Sequence, residues 1–158
     1  SFRPMNEPKN AAKEYLERQV QSASPVERVV LAYDGAIRFL LAARRAIDEG
    51  NIEVRFKNNK KAADIISYLM ETLDMEQGGE VAERLQRLYF YMLRKLVEVD
   101  VKNSTEAIDD VIGHLKKLRA SWEQLSRGGG ASAQPAPKGE AGSADTDERP
   151  PVRISATA

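Results

Sequence analysis

From about residue 25 to residue 125, apolar residues recur at intervals of three and four, the repeat of an amphipathic α-helix and not the alternation of a strand. Turn residues divide this stretch into four helices with very short joints. The first is expected over Pro25 to about Glu49, with Val26, Val29, Val30, Tyr33, Ile37, Leu40 and Ile47 as its stripe. Its start can be placed to a residue: Ser24 caps, Pro25 suits the first helical position, and Glu27 closes a reciprocal capping box. Gly35 and Ala36 offer a small-residue face that another helix can approach closely. Gly50 is a stop signal and Asn51 can cap the next helix at once, so the two helices should be antiparallel neighbours.

The second helix is expected over about Ile52 to Asp74, its stripe running Ile52, Phe56, Asn59, Ala63, Ile66, Met70 and Leu73, widened by Ile65 and Leu69. Asn59 interrupts that stripe, either as a hydrogen-bonded or partly exposed amide or as a register-specifying group. Met75–Gly79 forms the next turn. The third helix takes Glu80 to about Val101, with Val81, Leu85, Leu88, Met92, Leu96 and Val99 in register. Tyr89, Phe90 and Tyr91 are consecutive and cannot all point inward on a 3.6-residue period, so at least one should reach a surface. Asn103 and Glu106 can cap the fourth helix, which continues to about Leu125 with Ile108, Val111, Ile112, Leu115, Leu118, Trp122 and Leu125; Trp122 on this stripe is a core residue. Four such stripes with brief connections predict an all-α fold, an antiparallel up-down-up-down four-helix bundle.

Two segments flank the bundle. A weaker helix over Glu7 to about Gln21 has Ala11, Tyr15, Leu16 and Val20 as its apolar points, too few to hold it without tertiary packing. From Arg127 the chain turns to Gly, Ala, Ser and Pro with little apolar bulk, which predicts a solvated disordered tail, with Val152 and Ile154 as its only anchor. The expected organisation is a cap segment over 5–24, a bundle over 25–126 and a tail over 127–158. Ser1–Pro4 precede Met5, a candidate initiator.

Composition narrows the function. Lys plus Arg and Asp plus Glu both number 24, so no general attraction to nucleic acid or anionic lipid follows. The chain has no Cys, which removes thiolate chemistry and fits a reducing compartment. No apolar run approaches the roughly 20 residues of a membrane span, and no secretory signal pattern opens the chain, so a cytoplasmic protein without membrane insertion is expected. His114 is the only His, Asp109 and Asp110 are adjacent rather than convergent, and Ser22, Ser24 and Ser104 sit at helix boundaries that capping explains. No phosphate-binding or dinucleotide fingerprint occurs. The expectation is a protein without enzyme activity, metal or cofactor. Arg55, Lys57, Lys60 and Lys61 form a basic patch on the second helix, with Arg44 and Arg45 nearby; either set reads as a solvated face that can orient an acidic partner.

Several segments carry a family likeness: Tyr15, Ser22-Ala23-Ser24-Pro25, Leu31-Ala32-Tyr33-Asp34-Gly35-Ala36, Leu73-Asp74-Met75-Glu76, Gly78-Gly79-Glu80, Leu88-Tyr89-Phe90-Tyr91-Met92, and Leu118-Arg119 followed by Trp122. In their order and spacing, over about Tyr15 to Leu125, the chain resembles the FliS family of flagellar secretion chaperones. The resemblance implies a cytosolic chaperone that binds the C-terminal segment of newly made flagellin. It implies that this binding prevents premature polymerisation and keeps the cargo competent for the flagellar type III export machinery. In the family the cargo wraps the helical core, and the N-terminal segment can occupy a binding surface when cargo is absent. Motif position and apolar faces nominate Tyr33, Ile37, Leu40, Tyr89 and Met92 for partner binding and Tyr15, Leu16 and Val20 as the N-terminal cap; a core role competes for Ile37, Leu40 and Met92. The alternative reading is a structural or regulatory bundle that homodimerises through the same faces, with an RNA-binding module a distant third.

Overall fold

The computed structural model describes residues 8–128, with side chains from Ala11 onward. The predicted tail beyond residue 128 lies outside the described residues. Among the described residues the protein is all-helical with no strand: α1 is Pro8–Ser22, α2 Pro25–Asp48, α3 Ile52–Glu71, α4 Gly79–Lys102 and α5 Thr105–Gly128. Helix α2 packs on α3 and α5, and α4 packs on the same two helices, so α2 to α5 enclose one core. Asp34 meets Arg119 and Arg44 meets Asp109, so α2 and α5 run in opposite directions. Arg55 meets Asp100 and Asn59 meets Leu96, so α3 and α4 do the same.

Local chemistry explains most of the helix ends. Glu27 N donates to Ser24 Oγ at 3.1 Å, and Ser24 N donates to Glu27 Oε1 at 3.0 Å, which completes the expected capping box. At the far end of α2, Gly50 adopts φ +71°, and Asn51 N reaches back to Ala46 O at 2.8 Å. A left-handed residue closing such a loop favours Gly. Asn51 then caps α3 by accepting from Val54 N at 3.1 Å. Helix α3 stops at Glu71, earlier than expected. Asp74 Oδ1 is held in the following turn by the N–H groups of Glu76 and Gln77, at 3.1 and 3.0 Å, so Asp74 shapes a loop instead of a last helical turn.

The start of α5 also differs from expectation. Ser104 Oγ accepts from Ala107 N at 3.0 Å and is the side-chain cap. Asn103 instead closes α4 in the left-handed region at φ 55°, and its side chain accepts from Arg55. Asn tolerates that backbone better than most residues, which suits a two-residue joint.

The core contains Tyr33, Leu40, Ile66, Tyr89, Met92, Leu96, Ile108, Leu115 and, as expected, Trp122. Burying each large aliphatic member contributes roughly 1.5–3 kcal/mol. Gly35 brings α2 close to α3: a Cβ there would lie 3.3 Å from Ile65 Cδ1. The inward face of α3 follows the predicted stripe at Asn59, Ile66, Leu69 and Leu73 and departs from it only in the first turns. Arg55, Asn59, Ala62, Ile66 and Leu69 point inward, while Ile52 and Phe56 are exposed. Helix α1 forms, yet its described residues are exposed, Tyr15, Leu16 and Val20 included.

Candidate functional site

The nominated partner-binding residues divide sharply. Tyr33, Leu40, Tyr89 and Met92 are buried, which removes them from any surface that a partner touches in this state. Their motif positions serve packing. Tyr33 and Tyr89 hydroxyls meet 2.6 Å apart in the interior, a pair that satisfies two polar groups that would otherwise be stranded. Burial pushes the Tyr89 phenol up to about 12. Burial, then the neighbouring Tyr89, pushes Tyr33 up further. Both stay neutral and serve as hydrogen-bonding spacers in the core.

Ile37 alone of the five is half-buried. It shares one flank of α2 with Val30 and exposed Leu41 by seven- and four-residue spacing. That flank faces α5 and is bracketed by two ion pairs. Arg44 grips Asp109 with two hydrogen bonds, at 2.8 and 2.9 Å, and this contact holds the Asp109 carboxyl below its ordinary range. Arg119 binds Asp34 and also Glu123, at 2.9 Å to the latter.

A second set of exposed apolar side chains lies on α3 and α4. Ile52 is 62% exposed, Phe56 52%, Val97 60% and Val101 72%. Phe90 is also exposed, so it is the member of the aromatic triplet that reaches solvent, while Tyr89 is core and Tyr91 bonds Asp110 on α5. Two spacings put these side chains along one seam. Phe56 lies nine residues before Ile65, half a helical turn from the flank that meets α2, so Phe56 occupies the flank toward α4. Val97 shares its flank of α4 with Phe90, seven residues back, and with Val101, away from the Tyr91 flank that meets α5. The Arg55–Asp100 and Asn59–Leu96 contacts bring Phe56 level with Val97 and Val101. Sequence reasoning placed Ile52 and Phe56 inside and did not single out Val97 or Val101. The available signal was the apolar set 90, 97 and 101, spaced by seven and four but off the main α4 stripe.

The predicted basic patch breaks up in the folded protein. Arg55 is 7% exposed and donates to Asn103 Oδ1 at 2.6 Å, so it is not a surface cation. Lys60 pairs with Asp64 at 3.2 Å, and Lys61 sits over the Phe39 ring at 5.3 Å. His114 packs edge-on against Tyr91, with centroids 5.6 Å apart, and approaches Asp110. Among the described residues no group of three or more His, Asp or Glu could hold a metal ion, and no helix is long and apolar enough to cross a membrane.

A helical bundle that presents an apolar seam, with its polar chemistry engaged in ion pairs and caps, is equipped to hold another polypeptide. The family model described as flagellar protein FliS matches residues 8–128, and the chain belongs to the FliS family. The flagellar secretion chaperone FliS of Salmonella typhimurium is 37% identical over 112 residues, covering 70% of this chain and 83% of the relative. That of Vibrio cholerae is 34% identical over 110 residues, covering 70% and 81%. The flagellar secretion chaperone FliSB of Pseudomonas aeruginosa is 37% identical over 120 residues, covering 73% and 95%.

Proposed function

We propose that this chain is a cytoplasmic export chaperone that binds the C-terminal segment of flagellin, prevents its premature polymerisation and keeps it competent for flagellar type III secretion. The observation that carries the reading is the exposed α3–α4 seam of Ile52, Phe56, Phe90, Val97 and Val101 in a member of the FliS family. An amphipathic helix laid along such a seam buries its own apolar anchors and those of the bundle together, without nucleotide or metal. The bundle over 25–126 acts as an antiparallel four-helix scaffold. Residues 5–24, with Tyr15, Leu16 and Val20, act as a detachable cap. Ile37 extends the binding surface onto the α2–α5 flank, and release falls to the export machinery.

Titration calorimetry with the C-terminal segment of the cognate flagellin tests the reading. Saturable one-to-one binding with a negative heat-capacity change is expected, because apolar surface leaves water. A folded protein that shows no heat at high micromolar peptide, while its mass rises with concentration, refutes the reading and favours a homodimer built through the same seam.

A further inference from the structure

Polarity is inverted at one end of the α3–α4 seam. The inward positions of the first two turns of α3 are Arg55 and Asn59, while Ile52 and Phe56 beside them face water. On α4, buried Leu96 and half-buried Asp100 are each followed by an exposed valine, Val97 and Val101. Adjacent residues of a helix differ by about 100° in direction. Turning only the first turns of α3 by about one such step would lay Phe56 over Val97 and Val101 and return Arg55 to solvent, while Ile66, Leu69, Tyr89, Met92, Leu96 and Val99 hold the rest of both helices in the core.

Four side chains and one backbone carbonyl oppose that rotation. Arg55 Nη1 donates to Asn103 Oδ1 at 2.6 Å, and Arg55 Nε lies 3.4 Å from Asp100 Oδ1 without hydrogen-bond alignment. One turn further on, Asn59 Nδ2 donates to the Leu96 carbonyl at 2.8 Å. The left-handed Asn103, fixed in the α4–α5 joint, gives the clasp a rigid end. Among the described residues Asn59 Oδ1 and Arg55 Nε have no hydrogen-bond partner, so the network is only partly satisfied. A partly satisfied buried polar network is a poor source of stability, and register selection is the best-attested use of such groups.

We propose that Arg55 and Asn59 are positioning residues: their clasp on Asn103, Asp100 and Leu96 fixes the rotation of the first turns of α3 against α4 and so keeps Phe56 turned outward beside Val97 and Val101 for a helical partner. The partner half of this statement rests on the flagellin-binding reading above; the rotational half stands without it.

The absence of Cys makes the rotation measurable, because a single Val97→Cys provides the only thiol in the chain. Its labelling rate is compared in the native background and in Arg55→Met/Asn59→Leu, with circular dichroism and melting as controls. The apolar pair is expected to retain the helical melt while thiol labelling slows by about tenfold or more, the mark of a thiol covered by Phe56 in the seam. Unchanged labelling in a folded variant overturns the proposal. Asn103→Gly keeps the left-handed cap and removes only the acceptor, so it serves if the double variant does not fold; a smaller slowing is expected, and none overturns the proposal. Flagellin-segment affinity is then measured on the same variants, together with Phe56→Ala. Slowed labelling with affinity reduced about tenfold supports both halves. Slowed labelling with unchanged affinity overturns the partner half while leaving the clasp. Failure of the unmodified chain to bind the segment defeats the flagellin reading, and the labelling result still decides the clasp.

Discussion

Phe56→Ala separates binding from folding more cleanly than any other change on this surface. Phe56 is 52% exposed, so about half of the roughly 200 Å² offered by a phenylalanine is left for a partner to cover. At ~25 cal/mol per Å² that remaining ~100 Å² is worth up to about 2.5 kcal/mol. Ordering of a disordered cargo segment reduces the return, so a loss of about 1–2.5 kcal/mol is expected, a weakening of about 5- to 70-fold. The fold should barely notice, because the half of the ring that packs inward is peripheral to the core. Tyr89→Ala is the contrasting change: it empties a fully enclosed site and strands the Tyr33 hydroxyl, so a loss of about 3–5 kcal/mol in stability is expected. The assay is calorimetric titration of both variants with the flagellin C-terminal segment, alongside urea unfolding. A Phe56→Ala protein with native midpoint and affinity within about twofold of the unmodified chain would refute the assignment of the seam.

Other consequences follow from single contacts. Tyr33→Phe or Tyr89→Phe alone should cost about 1–3 kcal/mol, because each leaves a buried hydroxyl unpaired, whereas the double variant should recover part of the loss in a double-mutant cycle; additive losses would contradict the pairing. The same pair makes stability fall in alkali. The folded state favours neutral phenols, so this contribution is whole below the unfolded tyrosine value of about 10 and declines as pH rises toward about 12, where Tyr89 ionises in place. Urea midpoints measured across that window should drop less for Tyr33→Phe/Tyr89→Phe than for the native chain. Ser24→Ala removes the cap of α2 and should cost about 1 kcal/mol without altering the denaturant slope; no loss would mean that the capping box is idle in solution.

What the sequence determined by itself was most of what neighbours along the chain govern, the Asp74 turn and the Ser104 cap being the local exceptions. Ser24 and Glu27, Gly50 and Asn51 set helix ends through contacts spanning a few residues, so their chemistry could be read directly. The stripes of α2, α4 and α5 likewise announced their inward faces, Trp122 included, because side-chain direction follows from helical period. The aromatic triplet even required one exposed ring, which proved to be Phe90. Only the tertiary structure decided which flank of each stripe another helix covers. Tyr33, Leu40, Tyr89 and Met92 carried family motif positions and turned out to be enclosed, since apolar character marks a residue for burial without saying what buries it. Helix α3 shows the limit most plainly. Its apolar pattern points Phe56 inward, but Arg55 and Asn59 meet Asn103, Asp100 and Leu96, from 37 to 48 residues away along the chain, and the helix settles with Phe56 outside. No local period encodes that outcome, because Arg55 and Asn59 find their polar partners only when α3 and α4 pack.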